Sequence, residues 1–345
     1  MEMQNGGGMI PAADNIQATK KFFKSKLSFL MGGLLLYLVI MNCVVFAYMM
    51  IYMIVQGVIV GISGEPYNGE EIINKLMETD MGMGLSVIIG CIFMWLFNRK
   101  RLPIKEIFVK RKPMNVSSFF MILCVLMGVQ FIFTIFNNVV EFLLNQIGLT
   151  AEAAIESAQA GSTTVSMMLY AGFIGPFAEE LIYRGYTMQG LERTANTITG
   201  GRMSNKGYAM LVSALLFGVM HANPTQSVFA FMVGFVFAYT AMEYSIWWSI
   251  LYHILNNFLF GDVMLFVLNK LPEKVGDIIS LAVLVAFFVA GVIVLIVKRK
   301  AMVAYIRENY RGHGKFYSWT FTNILFWVFV AVNGIMAIIS IQKLE

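Results

Sequence analysis

The chain has 345 residues, of which 58% are hydrophobic and 13% charged, with a net charge of +5. A soluble protein carries roughly 25% charged residues, and no single soluble core of this size hides that much apolar surface. With a mean hydropathy of +0.72, the composition excludes a soluble enzyme, a disordered protein and a secreted disulfide scaffold, and it predicts an all-α, multi-pass bundle in the cell membrane.

In chain order, a polar tail over residues 1–26, ending in Lys20, Lys21, Lys24 and Lys26, precedes an apolar run from Leu27 to about Gly61. The run exceeds the 7–15 residues of a signal-peptide core and the roughly 20 needed to span a bilayer, so we read an uncleaved anchor helix that tilts or projects. Further spans are predicted near 83–97, 116–137, 166–187, 208–222, 227–243, 246–268, 278–297 and 319–340, giving nine, or about 8–9. The organisation is a cytoplasmic tail (1–26), an N-terminal membrane region (27–165), a polar-dotted core (166–268) and a C-terminal membrane region (269–345).

Loop charge orients these spans. Arg99, Lys100, Arg101, Lys105, Lys110, Arg111 and Lys112 crowd 98–113, whereas 62–82 is acidic, with Glu65, Glu70, Glu71, Glu78 and Asp80 against Lys75. Residues 184–206 and 298–318 are again basic. Nine spans place every basic block inside, with a cytoplasmic N-terminus and an outside C-terminus. The basic residues belong to membrane topology, so no nucleic-acid partner is implied. Cys43, Cys91 and Cys124 lie within apolar runs without a C-x-x-C pair and read as structural thiols.

Ionisable groups inside apolar segments cost about 2.5–3.5 kcal/mol each on insertion scales, so they mark functional candidates. They cluster between residues 170 and 260. Glu180 and Arg184, four residues apart, neutralise one another on one helix face. Glu179 points about 100° away and is left for chemistry, while Pro176 loosens the helix one turn earlier. Phe217 and His221 share a face just before the Asn223-Pro224 break, and His253 and Asn257 share another. On the predicted topology all three groups lie roughly 10–20 Å from the cytoplasmic surface and meet at one level. His313 reads as solvated, and Asp262 and Glu243, near span ends, as structural.

A desolvated glutamate can act as general base for water, and an asparagine amide can stabilise an oxyanion. Two imidazoles with that glutamate can hold zinc, or can polarise a carbonyl without it; both remain open. There is no H-E-x-x-H motif and no serine or cysteine in a recognisable nucleophile motif.

Glu179-Glu180-x-x-x-Arg184, Phe217-x-x-x-His221 and His253-x-x-x-Asn257 together resemble the motif set of the CAAX prenyl endopeptidase and bacteriocin-processing family of intramembrane proteases. The resemblance implies a helical membrane fold around a catalytic cavity, with Glu179 as the water-activating base and His221 as its electrostatic or metal-binding partner. It further implies oxyanion stabilisation by His253 and Asn257, and a site shaped by Glu180, Arg184 and Phe217. Any Zn2+ would take Glu179, His221 and His253. The partners implied are the lipid bilayer and a peptide or lipidated protein substrate: a prenylated tail, a signalling peptide or a bacteriocin precursor. A non-catalytic self-immunity or peptide-binding protein is the alternative. A transporter is disfavoured by the lack of an inverted repeat.

Overall fold

The computed structural model of the chain describes residues 16–64, 68, 69, 72, 76, 81–151, 165–310 and 312–344. Residues 1–15 of the predicted tail and the loop charges Glu65, Glu70, Glu71, Lys75, Glu78 and Asp80 lie outside the described residues. The principal helices are α1 (Ile16–Ser63), α2 (Met81–Asn98), α3 (Val116–Asn145), α4 (Val165–Thr199), α5 (Lys206–Met220), α6 (Pro224–Glu243), α7 (Ile246–Leu268), α8 (Glu273–Asn309), α9 (Gly314–Phe321) and α10 (Ile324–Ile339). Two short strands, β1 (Leu149–Thr150) and β2 (Gln342–Lys343), pair antiparallel.

α1 is one unbroken helix of 48 residues, about 72 Å long. Phe23, Leu27, Met31, Leu34 and Tyr37, three or four residues apart, bury one stripe of its first half. Beyond Tyr37, side chains such as Phe46, Ile51, Ile54, Val58 and Ile62 are exposed, as a lipid-facing surface requires. α2 approaches closely because it carries small residues at the contact. A Cβ on Gly82 would come within 2.7 Å of the Tyr48 ring, and the Tyr37 ring covers Gly90. α3 and α8 cross by the same device: a Cβ on Gly291 would stand 2.9 Å from the Cys124 carbonyl oxygen, and one on Gly128 would stand 3.3 Å from that of Phe287.

Seven helices are long and apolar enough to cross a membrane, or eight if α9 and α10, bent by 64° at Thr322-Asn323, form one span. The bend has a local cause, since the Asn323 side chain caps α10 by accepting from the Phe326 N–H. The predicted nine is therefore reached only by counting α5, which has 15 residues and falls below the length of a full span. Apolar composition locates that segment but does not fix its length. Helices also outrun their apolar stretches: α4 continues to Thr199 and α8 to Asn309, carrying basic residues that the sequence places in loops.

The basic blocks meet at one end of the bundle. Glu243, closing α6, takes Lys206 at 2.7 Å, Lys112, and the Tyr305 hydroxyl at 3.0 Å. The hydrogen bond to Glu243 holds the Lys112 ammonium above the ordinary lysine range. Arg193 pairs with Glu106 at 2.7 Å and Arg111 with Glu192 at 3.2 Å. The Lys24 ammonium donates to the Thr322 carbonyl at the break between α9 and α10. Glu243 is thus structural, as expected, although it is also fully packed.

His313 departs from its expected solvated state. It is buried, with Nε2 at 2.7 Å from the Ser204 carbonyl oxygen and its ring among Tyr208, Phe316 and Tyr317. The reason is the extension of α8, which returns the following turn onto the start of α5. At the opposite end of the bundle, β2 pairs with β1 just beyond α3, and Asn223 Nδ2 donates to Ala151 O at 3.1 Å.

Candidate active site

Pro176 sets the local shape of α4. It has no N–H to return to the Gly172 carbonyl, so the preceding stretch, Tyr170–Ile174, winds wider, and the Gly175 N–H reaches five residues back to Tyr170 O. A second wide stretch, Glu180–Met188, begins one residue after Glu179, and every residue in it is buried. α7 contains a third, Leu255–Val263, directly after the His253 turn. All three wide turns lie beside motif residues, in line with the frequent occurrence of such turns at functional sites.

Glu180 is the hub. Its side chain has 0% exposure, as has that of Arg184, and Arg184 Nη1 stands 3.0 Å from Glu180 Oε1. The other guanidinium nitrogen, Nη2, donates to the Gly234 carbonyl on α6 at 2.9 Å. The Ser249 hydroxyl lies 2.5 Å from Glu180 Oε2 and 2.9 Å from the Phe237 carbonyl. With a single hydrogen, it donates to one of these at a time.

His253 Nδ1 stands 3.0 Å from Glu180 Oε1. An ionised carboxylate can only accept, so Nδ1 carries the hydrogen and Nε2 is the atom left for exchange. Nε2 faces Glu179 Oε2 at 3.7 Å, and the Glu179 side chain retains 25% exposure. Two adjacent carboxylates are thus divided by environment: Glu180 is sealed and orients the imidazole, while Glu179 reaches an open surface. The Glu179 partner across 3.7 Å is on another helix, which i,i+4 arithmetic within one helix does not reveal.

His221 closes α5 and is half-buried, its Nδ1 2.9 Å from the Phe217 carbonyl oxygen. A carbonyl accepts only, so Nδ1 donates here as well and Nε2 is free of that bond. Phe217 joins the three motifs. Its ring meets His221 edge-on at 4.8 Å and His253 at 5.9 Å, and the Arg184 guanidinium lies 4.0 Å above its centroid. Phe237 stacks on the other face of the site, 4.6 Å from the His253 ring. The residue after His221, Ala222, has a φ of 49°, a left-handed conformation unusual for alanine. Asn223 then caps α6 by accepting from the N–H groups of Thr225 and Gln226.

Asn257 stands one turn away on the wide stretch of α7. Its Nδ2 donates to Ala171 O at 3.1 Å, and its Oδ1 accepts from Asn256, which in turn accepts from Gln130. This chain ties the wide turns of α4 and α7 together and leaves one Asn257 amide hydrogen for another acceptor. Asp262, expected to be structural, has one carboxylate oxygen buried without a partner.

Sequence reasoning missed Ser249, Gly234 and Phe237. Ser249 had a signal, since it precedes His253 by four residues, the same spacing that relates His253 to Asn257. Gly234 and Phe237 had none. A Cβ on Gly234 would meet Phe217 Cδ1 at 2.7 Å and Arg184 Nη2 at 2.9 Å, so the glycine admits both side chains.

Zinc was expected to take Glu179, His221 and His253. Among the described residues, no group of three His, Cys, Asp or Glu side chains is arranged to hold a metal ion. Each Nε2 is left with a lone pair that could ligate, but the three side chains are not grouped to hold the ion as arranged, and no step below passes through one.

Residues 161–259 match the model of a protein family described as Type II CAAX prenyl endopeptidase Rce1-like, a protease family. The matched stretch contains Glu179, Glu180, Arg184, Phe217, His221, His253 and Asn257, and it bears out the resemblance carried by the three motifs. No curated protein and no solved structure matches the chain significantly.

Proposed function

We propose that this protein is an intramembrane endopeptidase that hydrolyses a peptide bond of a membrane-associated protein or peptide, with Glu179 as the general base. The observation that carries the reading is the division of labour between neighbouring carboxylates. Glu180 is spent on Arg184, Ser249 and His253, whereas Glu179 faces an open surface with a histidine Nε2 3.7 Å away. At that separation one water oxygen can hydrogen-bond to both groups.

In this reading Glu179 takes a proton from the water as its oxygen attacks the scissile carbonyl carbon. The carbon–nitrogen bond then breaks, and Glu179 returns the proton to the leaving amine. His253, fixed through Nδ1 by Glu180, accepts a hydrogen bond from the water at Nε2 and so holds it in place. The remaining Asn257 amide hydrogen donates to the developing oxyanion, and His221 adds a second donor when its Nε2 carries a proton. Arg184 and Phe217 keep the two histidines in register. Prenylated tails and leader-bearing bacterial peptides are the substrate classes to test, and the basic end of the bundle is read as cytoplasmic.

The test is cleavage of labelled farnesylated CAAX-type tails and leader-bearing bacterial peptides by the detergent-purified protein, with Glu179→Gln in parallel. Loss of a general base lowers the rate by about 10²–10⁴-fold. Equal cleavage by both proteins removes Glu179 from the mechanism. No cleavage by either, with peptide binding retained, favours a binding or self-immunity protein.

A further inference from the structure

Tyr183 sits one residue before Arg184 and four after Glu179, within the first motif. It is 1% exposed, and its hydroxyl is buried without a hydrogen-bond partner among the described residues. Its position is fixed twice: the ring rests edge-on against Phe217 at 5.4 Å, and its carbonyl oxygen accepts from the Ser213 hydroxyl at 2.7 Å. A buried hydroxyl with no partner is costly, so the fold gains nothing from this oxygen. Phenylalanine would fill the same space.

Helical side chains lean toward the N-terminus, which carries the Tyr183 ring back over the turn that holds Glu179. Four residues apart in α4, Glu179 and Tyr183 are neighbours on one helix face. Arg184 offers only donors, and Glu180 is already engaged by Arg184, Ser249 and His253. Glu179 is therefore the carboxylate with capacity to accept from this hydroxyl. The hydroxyl is also closed off from the exterior, which excludes direct contact with a substrate in this arrangement.

We propose that Tyr183 is a positioning residue for Glu179, its hydroxyl donating a hydrogen bond to the carboxylate when that side chain turns from His253 and so holding one oxygen while the other faces the water. The inference rests on Glu179 being the base. It predicts a hydroxyl that serves turnover without serving the fold.

The experiment compares wild type, Tyr183→Phe and Tyr186→Phe, with Tyr183→Phe also made in a Glu179→Ala background. Tyr186 is the control, because its hydroxyl is likewise buried without a partner. Tyr183→Phe should lower kcat about tenfold with KM unchanged while the protein stays folded, and Tyr186→Phe should leave kcat unchanged. Unfolding adds a readout that does not depend on activity. In the Glu179→Ala background, Tyr183→Phe should raise the midpoint, and in the wild-type background it should raise it less or lower it, the difference being the coupling of the two side chains. An unchanged kcat in Tyr183→Phe, or equal midpoint shifts in the two backgrounds, overturns the proposal. If wild type cleaves no peptide, the protease reading fails by itself, and the midpoint cycle still decides whether Tyr183 and Glu179 are paired.

Discussion

The same substitution at two adjacent positions should have opposite consequences. Glu180→Gln removes the only charge within 3.0 Å of Arg184 among the described residues, at a site where both side chains have 0% exposure. Removing one partner of a buried ion pair costs about 3–5 kcal/mol, because the surviving charge is left unpaired in low dielectric. Neither side chain reaches solvent, so no screening discount applies. The amide can accept from His253 or Ser249 but cannot neutralise the guanidinium, and the Gly234 carbonyl at 2.9 Å is only a dipole. Glu179→Gln, at 25% exposure and with its ion-pair partner among the described residues 3.7 Å away, should fall within about 0.5 kcal/mol of wild type. The assay is reversible unfolding in mixed micelles of rising SDS content, followed by the fluorescence of the five tryptophans. Glu180→Gln as stable as wild type, or Glu179→Gln as unstable as Glu180→Gln, would refute the division of roles between the two carboxylates.

Two further expectations follow from the same geometry. Gly234→Ala drives a methyl group against Phe217 and Arg184 Nη2, so it should cost about 1–3 kcal/mol by overpacking; the same unfolding titration checks it, and cleavage should fall as the arginine leaves the Gly234 carbonyl. 1,10-Phenanthroline should leave the cleavage rate of the purified protein unchanged, since the described histidines and carboxylates do not form a metal-holding group; inhibition that added zinc reverses would return the metal to the mechanism.

The motif residues were legible because charge is conspicuous in apolar sequence. Glu180 and Arg184 had to neutralise one another at four-residue spacing, and they do so at 3.0 Å. Pro176 announced a loosened helix, although not that the loosening would take the form of a wider turn closed by the Gly175 N–H. Contacts distant in sequence stayed hidden. Nothing in the sequence pairs Ser249 with Glu180, 69 residues earlier, or places Gly234 beneath an arginine on another helix. His313 misled for the same reason. Its charged neighbours in sequence suggest solvent, whereas its neighbours in space are Tyr208, Phe316 and Tyr317.

Chain topology links these local facts to the chemistry. Charges from 98–113 and 184–206 converge on Glu243, Glu192 and Glu106, the Tyr305 hydroxyl near the end of α8 joins them at Glu243, and Lys24 reaches the turn after α9. The basic blocks therefore share one end of the bundle, which requires an even number of crossings between each successive pair. The stretch between 206 and 298 meets that condition only if α5 runs from end to end with α6, α7 and α8, despite its 15 residues. Its far end confirms the crossing, because Asn223, just past His221, bonds Ala151 beside β1 and not the basic end. A short helix that still traverses the bundle means the protein is thin at this point, about 22 Å along α5 against roughly 30 Å of hydrocarbon. His253 lies about 10 Å along α7 from its start beside Glu243. Water reaches a partly exposed carboxylate most easily where the core is thin, and Glu179, with 25% of its side chain exposed, faces His253 across 3.7 Å.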